Sequence, residues 1–166
     1  MRNNFISCLL LIFTLITKAQ TTEREKVNTL LDDWHLAAAN ADFDSYFDKM
    51  TNDGVFIGTD ATENWQNEAF KEFSKPYFDK GKAWSFSAVE RNIYLNDKKD
   101  IAWFDELLDT QMELCRGSGV LKKENGYWKI AHYVLSIAVP NENVSELIQI
   151  KKERDSLLLI ELKKKK

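Results

Sequence analysis

Residues 115–142, CRGSGVLKKENGYWKIAHYVLSIAVPNE, contain two long segments rich in apolar and β-branched residues, separated by a short polar turn. Asn125 and Gly126 in the turn both tolerate the positive φ that a tight hairpin requires. The pattern predicts two antiparallel strands, over Leu114–Lys123 and Tyr127–Val139. This hairpin is the strongest local structure signal in the chain, and the rest of the fold is inferred outward from it.

Three helices, a short apolar strand after the turn at Asp53 and Gly54, and two longer strands are predicted before this hairpin. The segments Trp84–Leu95 and Ile101–Thr110 have β-strand character and are separated by the turn-like sequence NDKKD. The first helix is predicted at Thr22–Ala39, the second begins after the candidate N-cap Asp42, and the third is predicted at Asn67–Phe78. Pro76 is expected to kink or end the third helix, because its ring removes a backbone donor. Helices followed by a meander of strands indicate an α+β layer architecture, in which a curved sheet closed by helices forms a cone with a pocket.

Composition limits the class of protein. The 166 residues include 44% apolar and 12% aromatic side chains, and the formal net charge is −3. This composition is globular, and it lacks the basic face that nucleic-acid binding requires, since the dense basic run Lys163–Lys166 lies at the C-terminus. We predict one domain over residues 22–141 and a helical extension with a lysine tail over residues 142–166. The helix of this extension, Val144–Leu162, could pack on the domain or on another chain.

The N-terminus has the pattern of a signal peptide over residues 1–19. Arg2 precedes an apolar run, Phe5–Ile16, and cleavage is expected after Ala19. A run of about 12 residues is too short to span a bilayer as a helix. We therefore expect an exported protein, periplasmic or secreted, with no stable membrane anchor after cleavage. The mature chain would keep Cys115 as its one cysteine and could not form an internal disulfide.

Four stretches carry a resemblance to a known family. They are DDWHLAAANADFDSYFDKM (32–50), DGVFIGTDATENW (53–65), AWFDELLDT (102–110) and the hairpin described above. In this order, across roughly Glu23 to Glu142, they resemble the SnoaL-like domains of the nuclear transport factor 2-like superfamily. The resemblance implies a cone-shaped curved antiparallel sheet with helices packed on its concave face, usually as a homodimer through the open face of the sheet. Members include polyketide cyclases, ketosteroid isomerase, scytalone dehydratase and non-catalytic association domains, so the fold does not fix the function.

Strand register suggests a candidate catalytic acid. If Leu95 pairs with Ile101, Arg91 lies opposite Asp105, and Glu106 points to the other face. We assign Asp105 as a general base or polariser and Arg91 as its charge partner, since an apolar pocket raises a carboxyl pKa and a nearby Arg lowers it. The resemblance supports this, because the position after AWF faces the cavity in several relatives. A shift of one residue would instead make Glu106 the pocket acid. An ordinary cross-strand ion pair of Arg91 with Asp105 is the structural alternative.

His132 is the candidate hydrogen-bond donor or proton carrier. Pairing Lys123 with Trp128 across the hairpin turn places His132 opposite Gly119, where small residues leave open volume. In the relatives a polar residue of this strand reaches the cavity, often with a second histidine where this chain has Val134. The structural alternative is a histidine whose hydrogen bonds are satisfied within the core.

Aromatic residues supply the candidate binding surface. Asp60 could bind ligand at the mouth of the pocket or merely cap its turn. His35 lies beside the apolar stripe of the first helix and could face inward, although a position at the surface or its boundary is expected. The candidate ligand-binding residues are Trp34, Asp60, Trp65, Trp103, Glu106 and Trp128.

Two function classes remain open at this level. The first is a pocket protein that binds a small apolar or aromatic molecule, with cofactor-independent acid/base catalysis of the isomerase, cyclase or hydratase type. The second is a non-catalytic ligand-binding or dimeric association module. No metal site is predicted, because the two histidines do not have ligand spacing.

Overall fold

The computed structural model describes residues 21–165, so the predicted export segment lies outside the described residues. Within residues 21–165 the chain forms four α-helices, six strands and one short 3-10 turn. In chain order these are α1 (Glu23–Ala39), α2 (Phe43–Asp48), β1 (Met50–Ile57), β2 (Asn64–Gln66), α3 (Asn67–Asp79), β3 (Phe86–Leu95), β4 (Ile101–Thr110), β5 (Glu113–Glu124), β6 (Tyr127–Ile137), the 3-10 turn (Asn141–Asn143) and α4 (Val144–Lys164).

The strands form one curved, unclosed sheet in the order β2-β1-β6-β5-β4-β3. β1 runs parallel to β6, and the other neighbouring strands are antiparallel. α1 packs against β3, and α3 packs against β1 and β2, so both helices cover the concave face. This arrangement confirms the predicted α+β cone.

The hydrophobic core fills the space between the concave face and the helices. α1 begins at a capping box, in which Thr22 accepts from the Glu25 backbone and the Glu25 side chain accepts from the Thr22 backbone. In β4, buried residues alternate with more exposed ones, as expected for a strand with one face in the core. The buried positions of these two elements include Val27, Leu31, Trp34, Ala38, Ala102, Phe104, Glu106 and Leu108.

The predicted register of the β3–β4 hairpin is wrong by one residue. The Asn96 backbone N–H donates to the Ile101 carbonyl at 3.1 Å, so the hairpin closes one residue later on β3 than predicted. Leu95 consequently pairs with Ala102 and not with Ile101. As a result, every cross-strand neighbour between this turn and the bulge at Val89 differs from the prediction.

The β5–β6 hairpin begins as predicted but contains a bulge. Lys123 pairs with Trp128, which confirms the predicted register near the turn. Ala131 is then an extra residue on β6, because Leu121 pairs with Ile130 whereas Val120 pairs with His132. The bulge reverses which residues face the core, and the prediction that His132 lies opposite Gly119 is therefore wrong.

The remaining helices follow the predictions closely. Pro76 lies inside α3 and precedes the helix end at Asp79 by one turn, so it does not end the helix where expected. α4 covers the predicted helix Val144–Leu162, and none of its described side chains is buried. No helix among residues 21–165 is long and apolar enough to cross a membrane.

Candidate functional site

Glu106 is a carboxylate buried at the centre of the concave face. Its side chain projects from β4 toward α1, and the residue is only 1% exposed. Oε1 lies 3.0 Å from His35 Nε2 and accepts a hydrogen bond from the Tyr133 hydroxyl at 3.0 Å. Oε2 accepts from Arg91 Nε at 2.8 Å. A carboxylate has only acceptors, so His35 Nε2 donates when Glu106 is ionised. Glu106, Arg91, His35 and Tyr133 are hereafter called the Glu106 network.

Arg91 ties this network to α1. Its Nη1 donates to the Asn28 side chain at 2.9 Å and to Asp32 Oδ1 at 2.6 Å, and only 4% of its side chain is exposed. Buried Nη2 has no hydrogen-bond partner among the described residues. In a planar guanidinium, Nη2–H and Nε–H point in the same direction, so Nη2 is directed toward the Glu106 side of the network. A buried N–H without an acceptor costs free energy, which marks this as a place for a water molecule or a ligand oxygen.

Gly117 makes the space that the network occupies. Gly117 is on β5, where it lies opposite Glu106 of β4 and opposite Leu135 of β6. A Cβ at this position would overlap the Tyr133 hydroxyl and lie 2.8 Å from Glu106 Oε1. The glycine is required here by close approach of side chains, since its φ is not in the left-handed region.

The electrostatics favour an ionised Glu106 and a neutral Tyr133. Burial alone would raise the Glu106 pKa, but hydrogen bonds and charge from His35 and Arg91 outweigh it and hold the pKa below its ordinary value. Burial and the Glu106 charge raise the pKa of Tyr133 well above its ordinary value. Tyr133 therefore remains a hydrogen-bond donor to the carboxylate throughout the physiological pH range.

The structure separates the three predicted catalytic residues. Arg91 is in the network, but its cross-strand partner is Glu106 and not Asp105, because of the one-residue register shift. Asp105 lies on the convex face and accepts from Asn92 at 3.0 Å. His132 also lies on that face, opposite Val120, because of the β6 bulge. The alternative acid, Glu106, is the one that occupies the concave interior.

The predicted tryptophans divide among different environments. Trp34 is a core residue that stacks on Tyr46 at 4.9 Å, whereas Trp103 is 46% exposed on the convex face. Trp128 is buried, and its Nε1 donates to Glu23 at 2.8 Å. Trp65 alone of the four contacts the small cavity described below.

Asp60 caps its own turn. Its Oδ1 accepts from the backbone N–H and the hydroxyl of Thr62, at 2.9 Å and 2.6 Å. These bonds lower the Asp60 pKa. This is the structural role considered for Asp60 from sequence.

Sequence reasoning kept an inward His35 only as the less favoured alternative, and it missed Tyr133. His35 is 4% exposed, so the expectation of a surface or boundary position is wrong. A signal was present for His35, since it adjoins Trp34 at the edge of the apolar stripe of α1. For Tyr133 no signal was available, because its inward direction depends on the bulge at Ala131.

A small aromatic cavity lies beyond the network, between the loop after β1, helix α3 and the β4–β5 turn. Its volume is about 120 Å³. Phe86, one of its wall residues, is also 5.8 Å from the His35 ring, and Leu135 lies next to Gly117 in the sheet. Two wall residues of the cavity, Phe86 and Leu135, thus adjoin residues that contact Glu106. Aromatic residues dominate the wall: Phe56, Trp65, Phe70, Phe73, Trp84 and Phe86.

The described residues offer little to a metal ion. Between residues 21 and 165, no group of three or more His, Cys, Asp or Glu side chains is placed to hold one. Cys115 is buried and has no disulfide partner in the same range.

A curved, unclosed six-stranded sheet with helices on its concave face and a buried charged network defines a cone-shaped α+β protein of the nuclear transport factor 2-like class. The family model described as "SnoaL-like domain" matches residues 27–140, well over half of the chain. The chain therefore belongs to the SnoaL-like domain family, as the sequence resemblance indicated.

Solved structures with the same fold carry different names. An NTF2-like protein from Cytophaga hutchinsonii matches with a TM-score of 0.60 at 17% identity, over 71% of this chain and 100% of its own. A provisionally named scytalone dehydratase from Novosphingobium aromaticivorans matches with a TM-score of 0.60 at 11% identity, over 70% and 85%. A provisionally named calcium/calmodulin-dependent protein kinase II association domain from Xanthomonas campestris matches with a TM-score of 0.56 at 23% identity, over 73% and 91%. These likenesses establish the fold alone. No curated protein matches the chain.

Proposed function

We propose that this protein binds a small apolar or aromatic molecule, about the size of one six-membered ring, in the aromatic cavity of its cone. The observation that carries the proposal is the cavity of about 120 Å³ with six aromatic wall residues. An apolar cavity of about 150 Å³ is known to hold benzene. Aromatic walls favour such a ligand through burial of apolar surface and through edge or stacked ring contacts.

Thr59, Glu63 and Gln111 give the cavity three polar wall positions. Glu63 lies in the loop after β1, where its Oε2 accepts from the Asp60 backbone at 3.1 Å. Gln111 accepts from the Ser85 backbone at 3.2 Å through its side-chain oxygen. Few polar groups among many apolar ones are typical of a site that orients a small molecule. A ring that carries one hydroxyl or amino donor matches this wall better than a pure hydrocarbon.

The test is a thermal-shift titration with toluene, p-cresol and naphthalene. A ligand at tenfold its Kd adds about 1.4 kcal/mol of stability. For a domain of this size that raises Tm by about 3–6 °C. We expect p-cresol and toluene to raise Tm, and naphthalene, with two fused rings, to have no effect.

Trp65→Ala should abolish the shift. Trp103→Ala, a matched change on the convex face, should retain it. Equal shifts in both variants, or no shift with any single-ring compound, would contradict the proposal.

An acid/base reaction is the second candidate function. It is favoured by the Glu106 network, which combines an ionised carboxylate, a Tyr133 hydroxyl and the unpartnered Arg91 Nη2. A substrate would have to displace Phe86 or Leu135 to reach the carboxylate. Exchange of acidic C–H protons of a bound ring ketone, followed by NMR in D₂O, tests this function. Glu106→Gln should abolish the exchange, and Asp105→Asn should leave it unchanged.

The convex face of the sheet supports the proposal of a homodimer. Tyr94 and Trp103 stack there at 5.8 Å, and Val120 and His132 continue the same row across β5 and β6. Tyr94, Trp103 and Val120 are each more than one-third exposed. An exposed apolar row on a sheet face is a typical interface between subunits. Trp103→Lys should reduce the mass measured by light scattering, and an unchanged mass would exclude this row from the interface.

We also propose that residues 1–19 direct export. The support is the sequence pattern alone, and N-terminal sequencing of the protein recovered outside the cytoplasm would test it. A recovered chain that begins at Gln20 is the expected result.

A further inference from the structure

Helix α4 exposes more apolar surface than any role on its own domain accounts for. It has 21 residues, packs against little except the preceding 3-10 turn, and buries no described side chain. At least one-third of each of eight apolar residues is exposed: Val144, Leu147, Ile148, Ile150, Leu157, Leu159, Ile160 and Leu162. Ile150, Leu157 and Ile160 lie on the opposite side of the helix from the other five. An exposed apolar surface that is contiguous marks an interaction site.

Most of these residues lie along one side of the helix. At 3.6 residues per turn, eight residues of α4 fall within a sector of about 120° on this side of the helix. We call these eight residues the α4 stripe. Six of the eight are apolar, and the two charged ones, Lys151 and Asp155, form an ion pair at 3.2 Å in the middle of the stripe. The stripe consists of Val144, Leu147, Ile148, Lys151, Asp155, Leu158, Leu159 and Leu162.

The α4 stripe is complementary to itself in the antiparallel direction. When Lys151 lies opposite Asp155 of a second copy, Ile148 lies opposite Leu158 and Val144 lies opposite Leu162. The two-fold axis then passes between the helices at the middle of α4, and every contact occurs twice. Apolar residues meet apolar residues, and each central charge meets its opposite. A parallel pairing in register would instead place Lys151 against Lys151.

An open groove gives a second helix access to the stripe. The groove has a volume of about 810 Å³ and is bounded on one side by six residues of α4. Lys151, Asp155 and Leu158 belong to the stripe, and Arg154, Leu157 and Glu161 lie outside it. The loop from Gly58 to Asn64 bounds the other side. Asp155 and Leu158 are thus only partly covered by their own domain.

We propose that α4 is an assembly helix, which pairs antiparallel with α4 of a second copy of this chain through the α4 stripe. The contact is isologous, so the α4 contact on its own closes as a pair of chains. It is separate from the convex-face contact of the proposed dimer. The central charges set the direction and register of the helices, as polar residues do in coiled coils.

Exchange of the central charges tests this pairing. Two variants, Lys151→Glu and Asp155→Lys, are made in a Trp103→Lys background, so that the measured mass reports on α4 and not on the convex face. Alone, each variant places like charges opposite each other twice, which should weaken association at least about tenfold. Mixed in equal amounts, the two variants place opposite charges at both positions. The mixture should therefore recover the two-chain mass that neither variant shows alone.

The matched control is Lys152→Glu, the same change one residue outside the stripe, which should leave the mass of the Trp103→Lys protein unchanged. Circular dichroism of each variant verifies that the helix persists. The proposal would be overturned if the Trp103→Lys protein were already a single chain at about 100 µM, a concentration well within reach of two-helix association. It would also be overturned if either variant associated as well as its parent. A mixture of the two variants that does not recover association would overturn it as well. A monomeric Lys152→Glu control would also overturn it, because the stripe would then not define the contact.

Discussion

Replacing Glu106 by Gln should destabilise the protein strongly although it changes the side-chain shape little. The substitution removes the charge that accepts from Arg91, His35 and Tyr133. Removing one partner of a buried ion pair typically costs about 3–5 kcal/mol. Asp32 still neutralises Arg91 from the partly exposed side, at 2.6 Å, so we expect the lower end, about 3 kcal/mol.

Urea unfolding at pH 7, followed by tryptophan fluorescence, measures this loss. Asp105→Asn is the matched control, since it makes the same carboxylate-to-amide change at the next residue of β4, on the convex face. A surface change of this kind is expected to stay within about 0.5 kcal/mol. A loss below about 1 kcal/mol for Glu106→Gln, or equal losses for the two variants, would refute the view that the Glu106 network holds α1 to the sheet.

The stability difference between the wild type and Glu106→Gln should also depend on pH. The folded-state pKa of Glu106 lies below its ordinary value of 4.5. A carboxyl group with a lowered pKa stabilises the folded state fully above the unfolded-state pKa and loses this contribution as pH falls through the folded-state pKa. The part of the difference that comes from the Glu106 charge should therefore decline as pH falls below about 4.5. A difference that grows as pH falls below about 4.5 would contradict this sign.

Three further outcomes are expected. Gly117→Ala should lower the free energy of unfolding by about 1–3 kcal/mol, because the added Cβ would collide with the Glu106 network. Urea unfolding measures this loss, and an unchanged midpoint would count against the close approach. Lys123→Met should raise the pKa of Glu23 from about 2, since the hydrogen bond from Lys123 is the largest cause of its lowering. NMR titration of the Glu23 carboxyl group measures this pKa, and a pKa that stays near 2 would show that Lys123 is not responsible. Leu121→Ala should cost about 2–5 kcal/mol, because Leu121 is fully buried beneath the helices; a smaller loss in thermal unfolding would mean that the core collapses around the cavity.

Local signals accounted for the elements of the fold but not for the site. The Asn125–Gly126 turn fixed the start of the last hairpin, and Lys123 pairs with Trp128 as predicted. The acid was assigned to Asp105 because the turn after Leu95 was taken to close at Ile101. A hairpin loop that closes one residue differently exchanges the two faces of a strand, and the composition of NDKKD does not distinguish the two closures.

The Glu106 network shows the same limitation at longer range. It joins α1, β3, β4 and β6, so no stretch of sequence contains it. Nothing in the spacing of His35 and Tyr133 reveals that both meet one carboxylate, since 98 positions of sequence separate them but a few ångströms separate their side chains from Glu106 Oε1. Similarly, β1 pairs with β6 in parallel, a contact that the hairpin signals along the chain do not predict.

The sequence by itself determined the class of the fold, the order of its helices and of every strand except β2, and the aromatic, acidic and cysteine-poor character of the domain. Helical spacing, strand character and turn residues act over a few neighbouring positions, which is why these features could be predicted. Only the tertiary structure decided which carboxylate is buried, which histidine accompanies it and where the cavity lies. Those outcomes depend on two strand bulges and one turn closure, each of which moves a side chain to the opposite face by a shift of a single residue.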